Sequence, residues 1–186
     1  MLEQRIQQQF FESADLQNQA AASLARPVAA AAQALVGCLT AGGKLLVSGS
    51  DAGAMLAPVF AAAFTGRFER DRPPLAALAL RDDGLSSVAQ QVSAVGQPGD
   101  VLLLVDTLGA SERLLHAAAA AHQKDMTLVV LTGPAGAAWA AALGETDVTI
   151  AVPHERAARI AETHLLVLHC LCDAVDLQLM GEQESA

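Results

Sequence analysis

Two short turns hold most of the polar chemistry this chain can offer. The first is Ser48-Gly49-Ser50-Asp51-Ala52-Gly53, which follows an apolar run and precedes a helical pattern. The second, Asp106-Thr107-Leu108-Gly109-Ala110-Ser111, has the same small, hydroxylated character and also leads into a helix. Such strand-to-helix turns present free N–H groups and hydroxyls to an anion, usually a phosphate. At neighbouring strand ends, the hydroxyls of Ser50, Thr107 and Ser111 and the N–H groups around Gly49 and Gly109 would suit a phosphorylated sugar. Yet each turn carries a carboxylate, Asp51 or Asp106, where the anion would sit. At about 4 Å and an effective dielectric constant near 20, each such contact costs on the order of 4 kcal/mol, enough to turn a micromolar site into a negligible one. A plainer role is also open, because Ser50 or Asp51, and Ser111, are good helix N-caps.

Positioning these turns requires a sheet. Continuous apolar runs at 44–47, 75–80, 101–105, 126–131 and 148–152 alternate with helical segments at 54–65, 85–94, 111–123 and 137–143. Runs apolar at every position mark strands covered on both faces, hence a parallel sheet. The expected fold is α/β, one domain over 1–186: a three-layer αβα, doubly wound, five-stranded parallel sheet of flavodoxin-like type, with its site at the carboxyl ends of the strands. Pro58 is expected to delay or kink the helix at 54–65.

Ahead of the sheet, Leu2, Ile6, Phe10, Leu16, Ala20 and Leu24 recur at near-helical spacing. Pro27 suits the start of a second helix, with stripe Val28, Ala31, Ala32, Leu35, Val36 and Leu39, stopped at Gly42 and Gly43. Residues 1–42 thus read as a helical pair used in oligomerisation, and 43–186 as the α/β core with a long final helix over 155–180. That last helix is apolar on two faces, Ile160, His164, Val167, Leu168 and Leu171 on one, Leu166, Cys170, Ala174 and Leu177 on the other. A second subunit is expected to cover it.

Composition narrows the partners. A hydrophobic fraction of 53% supports a packed core, and a net charge of −9 argues against direct nucleic-acid binding while suiting a basic protein partner. Residues 1–17 lack the apolar centre of a signal peptide, and no run of roughly 18 apolar residues predicts a membrane span. Three cysteines without a disulfide framework suggest a reducing cytoplasm. Cys170 and Cys172 lie two apart on a helix, about 200° around its axis, which is wrong for a metal pair.

The motifs resemble the sugar isomerase (SIS) domain family, in the branch of phosphoheptose isomerases and DnaA initiator-associating proteins. The isomerase pattern runs strand–CGNGGS–helix–HFAEELTGR, then STSGNS, then RIQEIH on the last helix. The counterparts here are SGSDAG (48–53), VFAAAFTGR (59–67), DTLGAS (106–111) and RIAETH (159–164). RFERDRP (67–73), GDVLL (99–103) and ARIAETHLLVLHCLCDAVD (158–176) resemble the initiator-associating members most.

The resemblance implies where chemistry is lost. The family's helix-borne histidine falls on Val59, its catalytic glutamate on Ala63 and its glutamine on Ala161, leaving His164 as the remnant. No catalytic residue, metal or cofactor is therefore expected, and His164 reads as a core residue. Gly49, Ser50, Asp51, Arg67, Asp106, Thr107, Gly109, Ser111 and His164 would form a degenerate phosphosugar crevice. The expected function is a non-catalytic adaptor, cytoplasmic and homotetrameric, that binds a DnaA-type initiator protein, with Leu179 and Met180 as partner contacts. The alternative is a sugar-phosphate (sedoheptulose 7-phosphate) isomerase, or a sensor that binds a phosphosugar or an uncharged or amine-bearing sugar.

Overall fold

Five aliphatic runs form the strands β1 (Leu45–Ser50), β2 (Ala77–Ala79), β3 (Val101–Asp106), β4 (Thr127–Thr132) and β5 (Val148–Ala151). The helices are α1 (Leu2–Thr40), α2 (Gly53–Thr65), α3 (Val88–Val95), α4 (Glu112–His122), α5 (Ala137–Ala142) and α6 (Ala157–Met180). The computed structural model describes residues 1–109, 111–134 and 137–182, the side chain of residue 137 excepted. All strand pairs are parallel, in the order β2-β1-β3-β4-β5. The order reverses between β1 and β3, the kind of switch point beside which α/β sheets place their sites. Register sets Ser50 beside Asp106 and Asp106 beside Thr132.

Alternate strand residues feed two cores, giving the three layers. Leu45, Val47, Leu103, Val105, Val129 and Ile150 pack under α1, α2 and α6. Leu46, Leu102, Leu104, Leu128 and Val130 pack under α3, α4 and α5, where Trp139 is fully buried. Asp100 ties the starts of β1 and β3 together, accepting from Lys44 N at 2.9 Å and from Lys44 Nζ at 2.6 Å.

Three expectations need correction. Residues 2–40 form one helix with Pro27 inside it, not a pair. Proline removes a single bond, the one to the Ser23 carbonyl, and alanine-rich turns on either side hold the helix. The stripe Leu16, Ala20, Leu24, Ala31 and Leu35 is buried against the domain, chiefly on α6 and β5. By length and composition alone α1 is apolar enough to cross a membrane; here its stripe packs on the domain, and about a third of its most apolar stretch is buried. Secondly, α2 starts at Gly53 despite Pro58, so the late start is not observed. Thirdly, β1 extends through Ser50, which places Ser48, Gly49 and Ser50 in the strand.

Arg72 closes the other end of α2. Its guanidinium donates to the carbonyls of Ala63 and Phe64, both at 2.7 Å, and its Nε to Asp176 Oδ1 at 2.6 Å. The pair is almost wholly buried and joins α2 to α6.

Candidate functional site

Asp106 organises the carboxyl ends of the strands. It is fully buried, and its two oxygens accept from three elements. Ser50 Oγ at the end of β1 donates to Oδ1 at 2.8 Å. The Ser111 N–H at the start of α4 and Trp139 Nε1 of α5 donate to Oδ2 at 3.1 and 2.8 Å. The expectation that Asp106 confronts a ligand as an open charge is therefore corrected: its carboxylate is turned inward and satisfied. Its neighbour Thr107 is 1% exposed, and its Oγ1 has no partner among the described residues. Gly109 holds φ at +74° and returns its N–H to the Asp106 carbonyl at 3.2 Å.

The glycines of the first turn serve packing. A Cβ on Gly49 would lie 2.3 Å from the Gly53 carbonyl carbon, and one on Gly53 would lie 2.1 Å from the Val105 carbonyl oxygen. Only glycine lets α2 begin so close to β1 and β3. Asp51 is exposed at φ +50°, in a left-handed turn. Capping does not explain the serines either. The N-cap of α2 is Ala52, and Ser111 occupies the N-cap of α4 without a side-chain bond to it.

His164 is buried against β4, with Nε2 donating to the Thr132 carbonyl at 3.2 Å. Burial pushes its pKa down to about 4, although the carbonyl bond and the charge of Asp106 favour protonation. The ring is thus neutral near pH 7. Its Nδ1 and the Thr132 hydroxyl lack partners among the described residues.

The remaining candidates do not converge. Arg67 lies just beyond α2, which runs back toward the amino ends of the strands, and pairs with Asp71 at 3.0 Å on the surface. Arg159 pairs with Glu162 at 2.8 Å, so neither it nor Lys44 neutralises Asp51 or Asp106. Val59 is exposed on α2, while Ala63 and Ala161 are half-buried. Leu179 packs against the core, and Met180 is partly exposed at the end of α6. Alkyl groups at 59 and 161 have no lone pairs for a metal. Among the described residues no three His, Cys, Asp or Glu side chains converge to hold one.

Sequence reasoning missed a crevice of about 130 Å³ beside the same strand ends, lined by Gly49, Ala54, Arg81, Asp82, Val88, Arg113 and Leu114. It brings two guanidinium groups to the flank of β1, with Arg113 Nη1 3.8 Å from Asp82 Oδ2. Their positions were a usable signal, since Arg81 follows the second strand and Arg113 lies in the first turn of α4.

Comparison with known proteins agrees with this architecture. The SIS domain family model matches residues 9–133. The chain is 56% identical to a phosphoheptose isomerase of Methylibium petroleiphilum, over 99% of this chain and 98% of that protein. With the phosphoheptose isomerase of Aromatoleum aromaticum it shares 43% over 97% of both chains. The solved phosphoheptose isomerases of Neisseria gonorrhoeae and Francisella tularensis superpose with TM-scores of 0.87 and 0.88, at 37% and 35% identity. Each comparison covers 95% of this chain, and 99% and 98% of the respective structures. These relatives overturn the adaptor expectation, because the proteins matched along their whole length are named as enzymes. With the parallel sheet and these matches in agreement, the chain belongs to the SIS domain family, in its phosphoheptose-isomerase-like group.

Proposed function

We propose that the chain is a sugar-phosphate isomerase that takes a substrate of the sedoheptulose 7-phosphate type in the crevice beside β1. The observation carrying this reading is 56% identity to a phosphoheptose isomerase across 99% of the chain. The crevice chemistry supports it. Arg81 and Arg113 supply paired positive charge for a phosphate, with the forked donors that guanidinium groups offer. Asp82 is the carboxylate lining the same crevice. An aldose–ketose shift moves one proton between adjacent carbons and one between their two oxygens; a carboxylate on one face can carry the first, while the second passes between the neighbouring oxygens through water. In this reading Asp82 carries the proton.

A second reading, a phosphosugar-binding sensor without turnover, is favoured by one observation: Val59, Ala63 and Ala161 place alkyl groups where the family pattern has His, Glu and Gln. Incubation with sedoheptulose 7-phosphate, followed by a product assay and a melting curve, separates the two. Turnover supports the isomerase. A ligand-dependent rise in melting temperature without turnover supports the sensor, and neither effect removes both readings.

A homo-oligomer belongs to the same proposal, with a second copy of the chain as the occupant. Leu2, Ile6, Phe10 and Phe11 of α1, and Met55 and Val59 of α2, are exposed. Leu166, Cys170 and Leu177 leave the outer face of α6 uncovered.

A further inference from the structure

We infer that the cavity beside the carboxyl end of α6 is a binding site for a linear organic polyamine. The inference stands apart from the functional reading, since this cavity shares no lining residue with the Arg81–Arg113 crevice.

The cavity measures about 290 Å³. Its lining includes Glu69 in the segment after α2, Asp173 and Asp176 on α6, and Glu182 beyond that helix. Arg70 is the only basic side chain in the lining among the described residues, and its guanidinium is already committed to the carbonyls of Asp176 and Gly181. Arg72 holds Asp176 and offsets a second carboxylate. Negative charge remains in excess.

That excess by itself is only an acidic surface; Asp176 makes it a site. This residue is 3% exposed, and its Oδ1 accepts from Arg72 Nε at 2.6 Å. Its Oδ2 has no partner among the described residues. A buried carboxylate oxygen left bare costs free energy, which a donor entering the cavity that Asp176 lines would recover. An ammonium group is such a donor, and it also complements the negative carboxyl end of α6.

The form of the cation follows from how the carboxylates are spread. Among the described residues no three His, Cys, Asp or Glu side chains come close enough together to hold a metal ion. Carboxylates distributed around a cavity suit several charges on one chain better than one small ion. Phe68 and Leu177 add apolar lining for the methylenes between those charges, and the aromatic ring attracts an ammonium beside it.

The test is calorimetric titration of the full chain with spermidine at fixed ionic strength, with n-butylamine and Mg²⁺ as comparisons. Spermidine should bind at least about tenfold more tightly than either. Glu69→Gln with Asp173→Asn, both exposed, should weaken spermidine binding by at least about tenfold. Glu3→Gln with Glu145→Gln removes the same charge from exposed positions outside the cavity and should leave the affinity within about twofold. Asp176 is kept, because it also holds Arg72. No spermidine binding, equal affinity for Mg²⁺, or equal losses from the two pairs of variants overturns the inference. Melting curves establish that each variant is folded. If the paired cavity variant is not, Asp173→Asn against Glu145→Gln decides by the same comparison.

Discussion

His164 and Asp82 place opposite demands on their surroundings. The buried imidazole is neutral because protonation would put a charge in the core, and its pKa falls to about 4. The unfolded chain, with an ordinary histidine pKa, takes up that proton first. Stability from this group is therefore complete above about pH 6.5 and lost as pH falls toward 4, by roughly 3 kcal/mol. Urea denaturation between pH 4 and 7 should show that slope, and His164→Gln should flatten it. In the proposed isomerase, Asp82 has to remain available to substrate. If it carries the proton, Asp82→Asn should lower kcat by about 10²- to 10⁴-fold with little change in KM. Arg81→Ala should mainly raise KM. The cysteines divide similarly: burial raises the thiol of Cys172 to about 12 and that of Cys170 less. Cys170, exposed on α6, should be the first of that pair to react with an alkylating agent, as peptide mapping would show.

At the level of elements, Arg72, beyond the end of α2, ties that helix to α6 through Asp176. Because the pair is desolvated, removing one partner strands the other charge. Arg72→Met should cost about 3–5 kcal/mol, measurable as a lower denaturant midpoint, while removing the exposed Arg67 should cost less than about 1 kcal/mol. Much at this scale was legible in the sequence. Aliphatic runs without polar interruption could only be buried strands, and their alternation with helical patterns dictated a parallel sheet. Pro27 misled because a local rule treats proline as a helix start, whereas α1 is held by packing on an element some 150 residues away in sequence. The role of Asp106 was illegible for the same reason: its partner Trp139 lies 33 residues further on. Arg81 and Arg113 were each placed by the sequence at a strand end or helix start, but that they share a crevice follows only from the sheet order, which sets the end of β2 and the start of α4 beside β1.

For the whole molecule, the uncovered apolar residues of α1 and α2 bear on assembly. Light scattering of the proposed oligomer should give a multiple of 19.1 kDa, and Phe10→Ser with Phe11→Ser should shift it toward the single-chain mass. The helices at the two ends of the described chain also meet each other. Ser13 Oγ donates to Glu162 Oε2 at 2.7 Å, Arg159 to the Gln9 carbonyl at 3.0 Å, and Arg156 bonds both Gln9 and Glu12. During synthesis, then, α1 emerges before the sheet and waits for a partner that the ribosome makes after every strand of it. Its greasy stripe stays bare through most of translation, a long-range closure that slows folding and invites chaperones. Nascent chains stalled before residue 155 should keep α1 open to protease, and release of the following two dozen residues should close it.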